Sequence, residues 1–162
     1  MNALHRILMT TDGSITAIIE AVAQREVSVE TVEQRIVRAN ENLARLLDIE
    51  VGDEVNYRVV YLKAGGDVYA KAVSYTPLKR LDDEFREDLM KADIPIGKIM
   101  KKHNIEARRE IRWSKIEDPD SKLAEELGIE EGKIIVRNYD IIRGGEILIN
   151  ITEYFPMEKF SL

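Results

Sequence analysis

Hydrophobic residues along the chain follow two spacings, one typical of helices and the other typical of strands. Near the N-terminus they recur at helical spacing in two short segments, and a turn and helix cap at 12–14 precedes the second. Residues 26–38 favour a strand followed by a short helix that ends at Asp48, and one longer helix is the alternative. The first third of the chain is therefore predicted to contain two helices, a strand and a third helix.

One pattern of residues occurs twice, at about 43–78 and again at about 123–157. Each copy starts with a Leu-Ala pair in a short helix, passes a glycine into an apolar strand, and turns at Gly-Gly into a second strand. Two such hairpins would join into one antiparallel sheet, because a lone hairpin is only marginally stable in water. We predict one domain over residues 1–162 that contains both copies.

The segment between the two copies predicts two helices and a strand. Leu81 to Met90 has helical spacing, the sequence at 94–97 interrupts that helix, and a second short helix follows. Residues 105–113 then alternate between apolar and charged side chains, which indicates a strand with Trp113 and Arg109 on its inner face. The predicted class is α+β, with a single antiparallel β-sheet and helices packed on one side.

Composition and charge narrow the classes of function. The formal net charge is −6 and the basic residues are scattered, which argues against a nucleic-acid partner. No apolar run is long enough to span a membrane, no signal-peptide layout is present, and there is no cysteine, so a cytoplasmic location is predicted. The two histidines are far apart and no Gly-rich phosphate loop occurs. We therefore expect no metal and no nucleotide.

Three charged residues fall on strand faces that are otherwise mostly apolar. Glu153 is the only charge on the face formed by alternate residues of 147–155, and Arg58 and Arg109 have similar positions in their own strands. Such residues can form an internal ion pair, or together line a pocket that binds an anion. Exposure of Glu153 to water at the strand end is a further alternative. An aliphatic face would favour a protonated Glu153, which could donate a hydrogen bond to a substrate.

The sequence Ile94-Pro95-Ile96-Gly97 offers a second place for an anion. Proline favours a helix start, and glycine lets a ligand approach the free backbone N–H groups of the first helical turn. The simpler alternative is a break between two helices.

Five short motifs, in their order and spacing, resemble the archaeal-type branch of the chorismate pyruvate-lyase family. They are DGSIT (12–16), VNYRVVYL (55–62), SYTPL (74–78), DIPIG (93–97) and ITEYFP (151–156). The resemblance covers nearly the whole chain. The same fold occurs in the UTRA domain, the small-molecule sensor of one class of bacterial transcription regulators.

The resemblance implies a lyase that needs no cofactor and converts chorismate, a small anionic carboxylate, to 4-hydroxybenzoate and pyruvate. It implies that Arg58 and Glu153 hold opposite ends of the aromatic product. It also implies that Ile15 covers the ligand and that the backbone at Ile96 and Gly97 helps to bind a carboxylate.

One position departs from the family pattern, because the second arginine of the lyases falls at Val73. Lys71 is expected on the same strand face, where it could replace that charge, and Arg109 is a further candidate for a carboxylate. The alternatives are a UTRA-like module that senses a metabolite without catalysis, and a scaffold in which Arg58 and Glu153 form only a salt bridge. A homodimer is a further alternative, because sheets with a free edge often associate.

Overall fold

Six strands form one antiparallel sheet in a computed structural model of the chain, which describes residues 1–91 and 93–161. The strands are β1 (Val27–Arg38), β2 (Glu54–Ala64), β3 (Asp67–Pro77), β4 (Arg108–Glu117), β5 (Ile134–Arg143) and β6 (Glu146–Pro156). Their order across the sheet is β1-β2-β3-β6-β5-β4. The predicted α+β class and the single antiparallel sheet are confirmed.

Helices connect the strands and follow the predicted order. The α-helices are α1 (Ala3–Thr10), α2 (Ile15–Ala23), α3 (Glu41–Leu47), α4 (Asp83–Lys91), α5 (Ile96–Lys102) and α6 (Ser121–Leu127), and short 3-10 helices occupy Leu78–Arg80 and Met157–Phe160. The side chain of Ser14 caps α2 by accepting a hydrogen bond from the Ala17 N–H. Asp48 adopts the left-handed conformation that ends α3, so the predicted end of this helix is confirmed.

The helices pack against both faces of the sheet. Helices α1 and α2 cover one half of a face, and α4 and α5 cover the other half of the same face. Each pair of helices forms its own apolar cluster with the strands beneath it. The strand residues between the two pairs line a cavity. Helices α3 and α6 pack on the opposite face, against residues that include Tyr75 and Tyr154. The expectation that all helices lie on one side is therefore wrong for these two.

A β-bulge interrupts each outer strand of the sheet. The register of β1 against β2 shifts between Thr31 and Glu33, and that of β4 against β5 shifts between Ile111 and Trp113. Because the extra residue reverses the alternation, Trp113 points to the face opposite Ile111 and is 42% exposed. The prediction that Trp113 shares the inner face of Arg109 is wrong for this reason.

The first helix is tied to the last helical turn of the described chain. The side-chain amide of Asn2, which caps α1, donates a hydrogen bond to the Phe160 carbonyl oxygen (3.1 Å). A ring nitrogen of the buried His5 lies 2.8 Å from the Met157 carbonyl oxygen. These contacts fix α1 against the end of β6, and this helix position bears on the cavity described next.

Candidate active site

A cavity of about 440 Å³ lies between the two apolar clusters. Strands β2, β3, β5 and β6 form its floor, and helices α2 and α5 form its walls. Its volume falls in the range of pockets that bind small molecules. Six of the seven site residues predicted from sequence line it: Arg58, Glu153, Ile15, Ile96, Gly97 and Arg109.

Arg58 lies in the cavity floor and is 2% exposed. One of its terminal nitrogens donates a hydrogen bond to the Ile94 carbonyl oxygen (3.1 Å), which links the floor to the segment before α5. Burial lowers the pKa of Arg58, and the nearby Asp93 carboxylate opposes that change. An arginine remains charged through such a shift, so the floor presents a fixed cation. Ser74, directly across from Arg58 on β3, adds a hydroxyl to the same floor.

Glu153 forms the other polar end of the floor, and its partner is Arg137. The Arg137 Nε donates to one carboxylate oxygen at 2.7 Å, and the Tyr139 hydroxyl donates to the other at 3.1 Å. A carboxylate that accepts from a guanidinium and a phenol is ionised, because the protonated form would lose acceptor capacity. The expectation that Glu153 acts as a protonated donor is therefore corrected.

Arg137 is fully buried between β5 and α1. Its Nη1 donates to the carbonyl oxygens of Leu8 (3.2 Å) and Thr11 (2.7 Å) at the end of α1. These acceptors orient the guanidinium, and Arg137 in turn orients Glu153. The scaffold alternative paired Glu153 with Arg58, whereas the ion pair that the structure gives to Glu153 is with Arg137.

Two residues of this network, Arg137 and Tyr139, were missed in the sequence. Both lie on the same face of β5 as Ile135 and Ile141, so the alternation that identified Arg58 could have identified Arg137. Tyr139 closes the cavity beside Glu153. Burial, together with the adjacent Glu153 charge, raises the pKa of Tyr139, so its hydroxyl stays a donor at neutral pH.

Arg58 and Glu153 are placed apart by the register of three strands. Arg58 pairs with Ser74, which pairs with Ile151, and Glu153 lies two residues beyond on β6. Two strand spacings and two residues of rise put the Cα atoms of Arg58 and Glu153 about 12 Å apart. A cation and a carboxylate thus face the same cavity from well-separated positions.

Three more cations line the opposite wall. They are Lys98 and Lys101 of α5 and Arg109 of β4. A Cβ built on Gly97 would lie 3.6 Å from an Arg109 terminal nitrogen, so the guanidinium sits against the Gly97 backbone. Within residues 1–91 and 93–161, these three side chains make no hydrogen bond or ion pair, which leaves their charges for a ligand.

Lys71 is the one predicted site residue that lies elsewhere. Ala72 and Ser74 of β3 face the cavity, so Lys71 and Val73 point to the other side of the sheet. There the Lys71 ammonium pairs with Glu126 of α6 at 3.0 Å. Lys71 cannot supply a charge to this cavity, and the prediction that it does is wrong.

The described part of the chain offers neither a metal site nor a membrane-spanning helix. No group of three or more His, Asp or Glu side chains there could hold a metal ion. No helix in these residues is long and apolar enough to cross a membrane.

Comparison with known proteins assigns the family. A family model described as chorismate pyruvate-lyase Rv2949c-like matches residues 9–161. The chain belongs to this family. A relative from Methanocaldococcus jannaschii, named "Putative lyase MJ0807", is 40% identical over 158 residues, covering 94% of this chain and 78% of that protein. A chorismate pyruvate-lyase from Mycobacterium leprae is 31% identical over 159 residues, covering 96% of this chain and 75% of that protein.

Solved structures show where else this lyase-family fold occurs. PhnF from Mycobacterium smegmatis has a TM-score of 0.77 at 18% identity, covering 92% of this chain and 66% of that chain. Its effector domain alone has a TM-score of 0.76 at 17% identity, covering 93% of this chain and 92% of the domain. Other neighbours are transcriptional regulators of the GntR family, and at such identities all of these structures show the fold alone.

Replacement of Arg137 by methionine tests the network around Glu153. The substitution leaves a buried carboxylate without its cation, so we expect the free energy of unfolding in urea to fall by about 3–5 kcal/mol. The double variant Arg137→Met/Glu153→Gln should recover a large part of that loss. Arg109→Met is the matched control and should change stability little. A single Arg137→Met variant as stable as the wild type would contradict the role assigned to this ion pair.

Proposed function

We propose that the chain is a cofactor-independent lyase that converts chorismate to 4-hydroxybenzoate and pyruvate. The observation that carries the proposal is a buried cation and a buried carboxylate, Arg58 and Glu153, lining one cavity of a chorismate pyruvate-lyase family member. A compound with a carboxylate at one end of a ring and a hydroxyl at the other fits that arrangement.

Each end of the ring has a chemically suitable partner. The Arg58 guanidinium can donate two parallel hydrogen bonds to the ring carboxylate. The ionised Glu153 accepts a hydrogen bond from the ring hydroxyl opposite, while its contacts with Arg137 and Tyr139 keep it in place. The separation of Arg58 and Glu153 across the strands leaves room for a six-membered ring between them. The Ser74 hydroxyl provides a further donor or acceptor beside the ring carboxylate.

The second carboxylate distinguishes chorismate from its aromatic product. It belongs to the enolpyruvyl side chain, and the cations of the opposite wall, Arg109, Lys98 and Lys101, are available to bind it. Four cavity cations, Arg58, Arg109, Lys98 and Lys101, outnumber the nearby carboxylates. Glu20 and Glu153 line the cavity and Asp93 lies near Arg58, and the charge of Glu153 is already offset by Arg137. This excess of positive charge favours a dianion over a monoanion.

The reaction is an elimination that the cavity assists by orientation. The ether C–O bond to the ring breaks, the ring carbon that bears the hydroxyl loses its proton, and the enol side chain gains a proton to become pyruvate. The ring becomes aromatic, so the protein mainly has to hold the reactive conformer away from water and stabilise charge on the departing oxygen. Arg109 and the lysines of α5 lie on the wall where that oxygen would separate.

A second function, binding without catalysis, is favoured by the structural neighbours. The fold matches the effector domain of a transcription regulator over nearly its whole length. A sensor would use the same cavity to hold an aromatic or carboxylate metabolite. The two functions differ in whether the bound molecule is consumed.

Turnover of chorismate by the purified protein, with 4-hydroxybenzoate followed by chromatography, tests the proposal. Arg58→Ala should lower kcat/KM at least thirtyfold, because loss of a desolvated charge partner costs roughly 2 kcal/mol or more. Lys71→Ala removes a cation from the other face of the same sheet and should leave turnover unchanged. Binding of 4-hydroxybenzoate that is lost in Arg58→Ala, without any turnover by the wild type, would favour the sensor. If the wild type neither turns over chorismate nor binds 4-hydroxybenzoate, both functions are overturned.

Glu153→Gln tests the role of the carboxylate. The amide keeps the size of the side chain but weakens the acceptor for the ring hydroxyl, so we expect kcat/KM to fall by roughly 10- to 100-fold. Circular dichroism would verify that the variant is folded. Wild-type turnover in Glu153→Gln would rule out an essential contact with the hydroxyl.

Arg109→Met tests recognition of the second carboxylate. We expect KM for chorismate to rise roughly tenfold, because a charged hydrogen bond is lost. Inhibition by 4-hydroxybenzoate, which lacks the enolpyruvyl group, should change little. Equal changes in KM and in the inhibition constant would place Arg109 outside the subsite for the side chain.

A further inference from the structure

The outer edge of β1 exposes a group of apolar side chains around Gln34. Val32 and Ile36 flank Gln34 in the strand, and each is 48% exposed. Met90, 36% exposed, lies beside them, because the Gln34 side-chain amide donates to the Met90 carbonyl oxygen (2.9 Å). Scattered apolar residues are ordinary on a surface, but a group of them on an unpaired strand edge marks a surface that binds a partner.

The charges of β1 divide about the same residue. The acidic side chains of Glu30 and Glu33 precede Gln34, and the basic side chains of Arg35 and Arg38 follow it. When two copies of such a strand run antiparallel, the acidic half of one lies against the basic half of the other. The edge of β1 is therefore complementary in charge to a second copy of itself.

We propose that two copies of the chain form a symmetric dimer by antiparallel pairing of their β1 edges, centred on Gln34. In this register Glu33 of each copy lies opposite Arg35 of the other, so that the Glu33–Arg35 pair formed within one chain (3.1 Å) joins the same pair of the second copy. Val32, the residue that bulges out of the pairing of β1 with β2, is brought near Ile36 of the other copy, which covers the exposed apolar group. The pairing satisfies the free backbone groups of the edge and joins two six-stranded sheets into one.

The other edge of the sheet is a weaker candidate for self-association. Strand β4 also exposes two apolar residues, Trp113 and Ile116. Its ten residues include four basic and two acidic side chains, whereas β1 has two of each. Two β4 edges therefore repel one another, and two β1 edges do not.

The first test compares matched substitutions on the two edges. Light scattering after size exclusion, over a series of protein concentrations, should show a dimer for the wild type. Ile36→Lys should be monomeric, and Ile116→Lys, the same change on β4, should remain dimeric. A monomeric wild type at every concentration would overturn the proposal. Dissociation by Ile116→Lys but not by Ile36→Lys would overturn it as well.

The second test uses charge reversal at exposed positions of β1. It therefore does not depend on whether Ile36→Lys, which replaces an apolar residue of the edge, still folds. Glu33→Arg alone and Arg35→Glu alone each place like charges opposite one another at two positions of the dimer. Each should raise the dissociation constant of its own dimer roughly tenfold. An equimolar mixture of the two variants should regain wild-type affinity, because both cross-strand pairs are then opposite in charge. A mixture that associates no better than either variant alone would refute the register.

Discussion

The buried ion pair between Arg137 and Glu153 is the interaction on which the cavity depends. A carboxylate under two layers of helices is stable only if a cation and hydrogen-bond donors replace the water it has lost. Arg137 provides the cation, and Arg137 is itself held by carbonyl oxygens at the end of α1. The position of the first helix, the ionisation of Glu153 and the polarity of the cavity floor are therefore parts of one network. Glu153 can accept a hydrogen bond from a ligand because the Arg137 guanidinium already compensates its negative charge.

Alternation along the strands was sufficient to identify part of this site. Arg58, Glu153 and Arg109 each break an apolar face, and the strand register then brings them to one cavity. Arg137 gives a weaker signal than Arg58, because both faces of β5 are buried over most of its length and the contrast between inside and outside is small. Alternation puts Lys71 and Val73 on one face of β3 but does not say which face is inward, and the pairing of Ala72 with Glu153 shows that Lys71 points away from the cavity.

Other features required the assembled sheet. A bulge adds one residue, and nothing in the local sequence marks Arg112 as the extra one, so simple alternation predicts the wrong face for Trp113. The side on which α3 and α6 pack depends on the hand and register of each hairpin, which hydrophobic spacing does not encode. The cavity itself exists because helices α2 and α5, which belong to the two apolar clusters on one face, leave a gap between them over the strands. The same architecture is found in regulators, so chemistry in this fold depends on which side chains line that gap.

The contacts of Asn2 and His5 with the segment Met157–Phe160 link the cavity to a part of the chain that does not line it. Helix α1 is gripped at its start by this segment, and its far end supplies the carbonyl groups that hold Arg137. Helix α1 therefore connects the segment Met157–Phe160 to the Arg137 guanidinium, which pairs with Glu153. A movement of Met157–Phe160, which does not line the cavity, would shift the carbonyl groups that hold Arg137 and so change the electric field at the cavity floor.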